Sequence, residues 1–319
     1  MEQRAEVCSL RERVGMSVEA ADPTTFVATL VEIERAGVDH VWVTGPPWNL
    51  DRLTTLAAAT MRTTHLGLGT AIVPIISRHP VLMAQQALSL NALAKGRLRL
   101  GIGTSWPEWG KSVYGVEMER PLAYLREYVQ VLRPLLQQGR VHHQGHYFTT
   151  DVLLQASSQI PLFLSALGPG AFRLAGEVAD GVLPYMCPIP YLLNTALPAL
   201  RAGAATAGQR CPLAVAHVPV VFTKDRATAL QVGQQAIRLY TTLPFYRNMF
   251  VAAGFSQQEI ETVSDRLVES LFVFGDESTI RARLLELLRM GFDELMISLA
   301  PVSDAVQEEI RLARLIGQL

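Results

Sequence analysis

The chain has 319 residues, 49% of them apolar and 18% charged, with a formal net charge of −1. That balance suits one large domain or two ordinary ones with a sizeable core, and argues against disorder. Lys and Arg are scattered rather than clustered, which speaks against a nucleic-acid or anionic-membrane surface.

Three cysteines, Cys8, Cys187 and Cys211, are an odd number and share no metal-type spacing, so the expectation is a reducing compartment without a structural disulfide. The first residues, "MEQRAEVCSLRERVG", are charged and lack an apolar signal core. No run approaches the roughly 18 apolar residues of a membrane span. A soluble, cytoplasmic protein is expected, organised as one domain over residues 1–319.

Short apolar runs alternate with helical patterns along the whole chain. "RVGMSVE" (13–19) precedes a helical pattern at 23–36, and "DHVWVTG" (39–45) precedes one at 50–62. "HLGLGTAIVP" (65–74) leads to 79–95, and "LRLGIGT" (98–104) leads to 121–138. "PLFLSAL" (161–167) and "GVLPYM" (181–186) precede patterns at 170–179 and 191–207. "LAVAHVPVVFT" (213–223) and "DELMISLA" (293–300) are the seventh and eighth strand candidates, with helices expected near Glu277 and Ser303.

Strands alternating with helices predict a parallel sheet, and eight such units closed on themselves form a TIM (β/α)8 barrel. An open doubly wound sheet is the alternative. A dinucleotide loop would need a third glycine at Ile72 or Trp106, and neither "GLGT" nor "GIGT" opens a phosphate-binding helix. Two stretches exceed the eight-unit plan. Residues 139–154 read as a hairpin after the fourth helix, on the amino-terminal side of the strands. Residues 224–276 read as a helical insertion after the seventh strand, at the catalytic mouth of a barrel. Within it, "LPFYRNMF" (243–250) either roofs a pocket or packs as plain helix.

Four motifs carry candidate chemistry. In "TAIVPIISRHP", Pro74 cannot donate into a ladder, so the third strand must end or bulge around Ala71–Pro74. Glycines two apart in "LGLG" and "LGIG" point to one face, where something flat could approach the backbone. Arg78 and His79 open the next helix, either as a capped start with a solvated arginine or aimed at an anion. "SALGPG" (165–170) is a tight turn into a helix or an anion site built on its amino terminus. In "GTSWPEWG", Trp106 and Trp109 stack on a ligand or pack, and Glu108 reads as a solvated glutamate. His142, His143 and His146 lie on the predicted hairpin, away from the mouth and without a carboxylate partner, and read as structural or surface residues rather than metal ligands. No nucleophile elbow, zinc motif or Walker loop appears.

"VWVTG", "LGLGTAIVPIISRHPVLMAQQALSLNALAKGRLRLGIGTS", "YGVEMERPLAYLREYVQVLRPLL" and "LSALGPGAFRLAGEVADGVLPYM" together resemble the luciferase-like monooxygenase superfamily. They are most similar to its coenzyme F420-dependent oxidoreductase branch. The resemblance implies a TIM barrel with insertions that binds a deazaflavin, coenzyme F420, at the carboxyl ends of the strands, with FMN as the alternative cofactor. It also implies a non-prolyl cis peptide at Ala71–Ile72 backing the ring. Gly103 and Ser165 would lie beside that ring. The phosphate would rest on Ala166, Leu167, Gly168, Pro169 and Gly170, with Arg78 as a secondary contact.

The substrate pocket implied comprises Thr44, Trp48, Ser105, Trp106, Tyr185 and Tyr246. Sugar-phosphate and alcohol dehydrogenases of the branch carry a polar pair after the second strand, where this chain has Thr44, Gly45 and Pro46. They carry a glutamate after the fourth, where it has Trp106. Hydride transfer to or from an apolar or aromatic small molecule is therefore expected, with no catalytic acid or base identified and no metal. A flavin-dependent monooxygenase and a non-catalytic cofactor-binding protein are the alternatives. Members often dimerise through barrel helices, so a homodimer is an expectation too.

Overall fold

The computed structural model describes residues 10–19, 22–46 and 48–319. Cys8 and most of the charged amino-terminal stretch lie outside the described residues. Eight strands form at the eight positions the alternation predicts. They are β1 (Val14–Glu19), β2 (His40–Thr44), β3 (Gly67–Thr70), β4 (Leu98–Gly103), β5 (Leu162–Ser165), β6 (Gly181–Leu183), β7 (Leu213–Val221) and β8 (Glu294–Leu299). Each pairs in parallel with the next. β8 returns to β1 with Met16 opposite Ile297, which closes the barrel and sets aside the open sheet.

The outer layer consists of α1 (Pro23–Arg35), α2 (Arg52–Thr60), α3 (Pro80–Leu93), α4 (Pro121–Gln138), α5 (Pro169–Val178), α6 (Leu197–Ala207), α7 (Glu277–Arg289) and α8 (Ala305–Gly317). Local chemistry sets their starts. Asp22, Asp51, Asp276 and Asp304 each accept backbone N–H groups of the first turn that would otherwise lack a partner. Pro23, Pro80, Pro121 and Pro169 occupy the first turn, where their missing N–H costs nothing.

Three features depart from the sequence reading. Residues Pro107–Tyr114, expected as loop, form a helix that ends on Gly115 at φ 66°. Helix α6 is preceded by a turn at Ile189–Tyr191 and a π-helical segment at Leu192–Ala196, so the helical run begins earlier than its apolar pattern suggests. The insertion after β7 carries helices at Arg226–Ile237, Pro244–Ala252, Gln257–Thr262 and Asp265–Glu269, but also a two-residue strand, Val273–Phe274, beside β7.

The predicted hairpin forms from Arg140–Gln144 and Thr149–Leu153. Glu127 of α4 pins it, accepting from the backbone N–H groups of His146, Tyr147 and Phe148 at 3.1, 2.8 and 2.8 Å. Its burial alone would raise the Glu127 pKa, but these donors and the nearby His143 ring outweigh that and lower it. The expected lack of a carboxylate partner is thus overturned: His143 meets Glu127 at 3.3 Å and His142 meets Asp151 at 3.2 Å, contacts that only pairing of the hairpin and its packing on α4 create. No group of metal-competent side chains occurs among the described residues. None of the described helices is long and apolar enough to cross a membrane.

Inside the barrel, alternate residues of each strand meet. Trp42, Phe163, Leu183, Val215 and Met296 form one buried cluster. Gly69 on β3 exists for the indole of Trp42: a Cβ there would lie 2.4 Å from the Trp42 ring. The flat group that this strand glycine admits is thus the protein's own tryptophan, not a ligand. The second glycine pair has another cause. Gly69 pairs with Arg99, and Val73 pairs with Ile102, so β3 spends one more residue than β4 over the same span. This is a bulge. It pushes the Thr70 carbonyl to within 1.9 Å of where a Gly101 Cβ would stand. The Thr70 hydroxyl repairs the ladder, donating to the Gly101 carbonyl at 2.8 Å and accepting from its N–H at 2.9 Å.

Gly69→Ala should therefore lower stability by about 1–3 kcal/mol through overpacking, read as a reduced urea midpoint. An unchanged midpoint would show that the Trp42 ring can move away.

Candidate active site

The bulge turns Ala71 and Ile72 toward a cavity of about 520 Å³ at the carboxyl ends of the strands. The bond between them is cis, at the position that the resemblance implied. Leu183 and Met296 of the interior cluster also line the cavity, so the packed barrel centre is its floor. The walls are the segments that follow the strands: Thr44–Gly45–Pro46 after β2, Thr104–Ser105–Trp106 after β4, Ser165–Gly168 after β5, and Tyr185 after β6. Ser105 holds a left-handed φ of 63°, a conformation that non-glycine residues seldom adopt.

Aromatic rings make the roof. Trp106 stacks on Trp109 at 3.7 Å, and Trp109 meets Trp48 edge-on at 5.1 Å. From the insertion, Tyr240, Phe245 and Tyr246 close on Trp106 at 5.7, 6.2 and 6.4 Å. The stretch 243–250 thus contributes Phe245 and Tyr246 to the cavity lining as well as packing as a helix.

Of the residues singled out from sequence, Thr44, Trp48, Ala71, Ile72, Ser105, Trp106, Ser165, Ala166, Leu167, Gly168, Tyr185 and Tyr246 converge on this cavity. Gly103, Pro169 and Gly170 are not among its lining residues: Gly103 is buried, while Pro169 and Gly170 are exposed. A Cβ on Gly103 would meet the Ser165 hydroxyl at 2.0 Å, so that glycine lets Ser165 reach inward. Arg78 is not brought to the cavity: its guanidinium pairs with Asp51 and donates to Gln86 at 3.1 Å. Its capping partner Asp51 belongs to α2, a contact between distant segments that the local sequence does not reveal. Glu108 is exposed and lies off the lining.

The sequence reading missed Glu19, Arg52, Tyr240 and His217. Glu19, the last residue of β1, lies on the wall and accepts from Asn49 at 2.9 Å. Its place at a strand's carboxyl end was the available signal. Arg52 also lines the cavity, and its Nε and Nη2 donate to the carbonyls of Thr44, Gly45 and Pro46. Tyr240 belongs to the roof. His217 is buried beneath Tyr185, their rings stacked at 4.1 Å. Its Nδ1 accepts from the Met186 N–H at 3.3 Å, which leaves Nε2–H to donate to Ser298 at 2.9 Å.

Burial pushes the His217 pKa down to about 3. Burial is also the main cause holding His40 at about 4, with Glu294 opposing that shift and Arg99 adding to it. Both imidazoles are neutral at pH 7. Burial likewise raises Tyr185 and Tyr240, whose ring centroids lie 5.8 Å apart, so both remain phenols.

A closed barrel with its cavity at the strand carboxyl ends, walled by strand-following loops, has the architecture of a (β/α)8-barrel enzyme. The luciferase-like monooxygenase family model matches residues 5–294, and the chain belongs to that family. It is 33% identical to an F420-dependent glucose-6-phosphate dehydrogenase of Nakamurella multipartita over 67% of this chain and 68% of that one. To the enzyme of the same name from Kineococcus radiotolerans it is 31% identical over 90% of both chains. Among solved structures, an F420-dependent secondary alcohol dehydrogenase in complex with an F420–acetone adduct superposes with a TM-score of 0.79 at 20% identity, covering 96% of this chain and 97% of the other. The EDTA monooxygenase of Chelativorans superposes equally well, with a TM-score of 0.79 at 15% identity over 96% and 93%. The last two likenesses show the shared fold.

The two buried histidines generate a pH prediction. In the unfolded chain an imidazole takes up its proton near pH 6.5. In the folded protein His40 and His217 wait until about 4 and 3. Between those values the unfolded chain binds more protons, so stability falls as pH falls, by up to about 1.4 kcal/mol per pH unit for each histidine. Urea midpoints measured from pH 7 to 4.5 should decline, and less steeply in His217→Asn. Parallel slopes for both proteins would refute the assignment to His217.

Proposed function

We propose that this protein is an oxidoreductase that moves a hydride between coenzyme F420 and an apolar or aromatic small molecule. The cofactor half of the reading is supported by the F420-dependent relatives, one of them similar across 90% of both chains. The cavity supports the same fit. Helix α5 begins at Gly168 with no side-chain cap, and a Cβ at Gly168 would meet nothing within 4 Å. Its first turn is open to an anion. Ala71, Ile72 and Ser165 would lie against the ring system, with Gly103 behind Ser165. Ala166–Gly170 would hold the phosphate. When bound, the deazaflavin supplies a carbon that gives or takes hydride.

The protein's part is to orient the partner and to exclude water. The roof of Trp106, Trp109 and Tyr246 does the second. The substrate half rests on one observation: Arg52 is the sole cation among the described lining residues, and its Nε and Nη2 are committed to three carbonyls. A sugar phosphate would find a single cation there, already turned to the backbone of residues 44–46. An apolar ring or chain would find indoles and phenols.

Fluorescence titration with coenzyme F420 and, separately, with FMN tests the cofactor. Micromolar affinity for F420 with FMN ignored is expected; the reverse preference would move the protein to flavin and oxygen chemistry. Trp106→Ala should raise the KM of the organic substrate at least about tenfold, the scale of one lost apolar contact, while leaving the F420 Kd within threefold. An unchanged KM would remove Trp106 from the substrate's surroundings.

A further inference from the structure

We propose that Tyr185 and Tyr240 form a paired-phenol donor for a carbonyl oxygen, so that the substrate class is an apolar ketone, aldehyde or enone. This inference rests on the hydride-transfer reading above and gives it a substrate group and a proton donor. The two tyrosines come from distant segments, the end of β6 and the insertion after β7, and both line the cavity. Each is held by its neighbours. Tyr185 lies on the His217 ring at 4.1 Å, and His217 is itself fixed at both nitrogens. Tyr240 is wedged between Trp106 at 5.7 Å and Tyr246 at 4.9 Å. Their ring centroids lie 5.8 Å apart, tilted by 49°.

Two phenols carry two O–H protons, and at most one of them can be spent between the two oxygens. The other remains for a ligand in an otherwise largely apolar cavity, where an unmet donor is costly. The matching ligand atom is an acceptor oxygen on an apolar body. Glu19 lines the same cavity and is an acceptor occupied by Asn49. Burial raises both phenols and keeps them protonated as donors. A protonated phenol can serve as the acid in the reducing direction.

In that direction hydride from the reduced deazaflavin forms a C–H bond at the carbonyl carbon. The C=O π pair passes to oxygen, which takes the phenol proton. The products are an alcohol, the oxidised deazaflavin and a phenolate, which regains its proton from solvent. For an enone the hydride attacks the β-carbon, the phenol donates to the resulting enolate oxygen, and the enol returns to the saturated ketone.

The test uses the full chain, its Tyr185→Phe and Tyr240→Phe variants, acetophenone and 2-cyclohexen-1-one. The infrared stretch of carbonyl-labelled acetophenone, recorded on the protein without cofactor, should shift to lower frequency in the parent protein and lose most of that shift in either variant. With reduced F420, kcat for whichever of the two is the better substrate should fall about hundredfold in Tyr185→Phe, the scale of a lost oxyanion donor. KM should change less than fivefold, and the F420 Kd should stay within threefold. A structural role would lower F420 affinity and thermal stability together and spare that split. Parent-like kcat and an unshifted stretch in the variants would overturn the proposal, as would failure of the parent to bind or reduce either carbonyl while binding F420. Failure of the parent to bind F420 would defeat the cofactor reading instead, and the cofactor-free stretch would still decide the fate of the phenol pair.

Discussion

Arg99 and Glu294 meet across the barrel interior, their two N–O contacts measuring 2.8 and 2.7 Å, from strands 195 residues apart in the chain. The guanidinium lies over Trp42 at 4.9 Å and over Phe163 at 4.7 Å. An ion pair so enclosed survives because both its charges and its faces are satisfied; removing one partner from such a pair generally costs about 3–5 kcal/mol. The plug fills the barrel from below, and everything above it is arranged around that fact. Leu183 and Met296 complete the floor, and the open volume is confined to the carboxyl ends of the strands.

The same plug shapes the third strand. Gly69 yields to the Trp42 ring, and two residues later the chain bulges so that Ala71 and Ile72 face the cavity. Thr70 carries the ladder across the irregularity with its hydroxyl, and Gly101 is small because the displaced carbonyl presses on it. A packing requirement in the core thus continues directly into the wall of the site. The glycine pairs that look like a ligand's footprint in sequence are, in large part, the footprint of this internal fit.

Above the floor the site divides its labour. One side is backbone: the bulge and the uncapped start of α5. The other is aromatic, contributed jointly by the segment after β4 and by the insertion after β7. Arg52 belongs to neither side, since it latches the 44–46 loop. Histidine beneath tyrosine gives a buried polar column that reaches the cavity, running from Ser298 through His217 to the stacked Tyr185.

Sequence by itself determined the order of strands and helices, because period-2 and period-3.6 patterns and the Asp and Pro residues at helix starts are local signals. Pro74 announced the bulge for the same reason: a residue without an N–H cannot continue a ladder wherever it lies. The "SALGPG" turn and the motifs of the luciferase-like family were legible too. Only the tertiary structure decided which cation faces the cavity. Arg78 lost its apparent freedom to Asp51, while Arg52, hidden in a helix pattern, arrived at the wall. Glu19, Tyr240 and His217 became site residues only when barrel closure brought β1, the insertion and β7 together. Partnership between side chains depends on distances across the closed barrel, and no local pattern carries those distances.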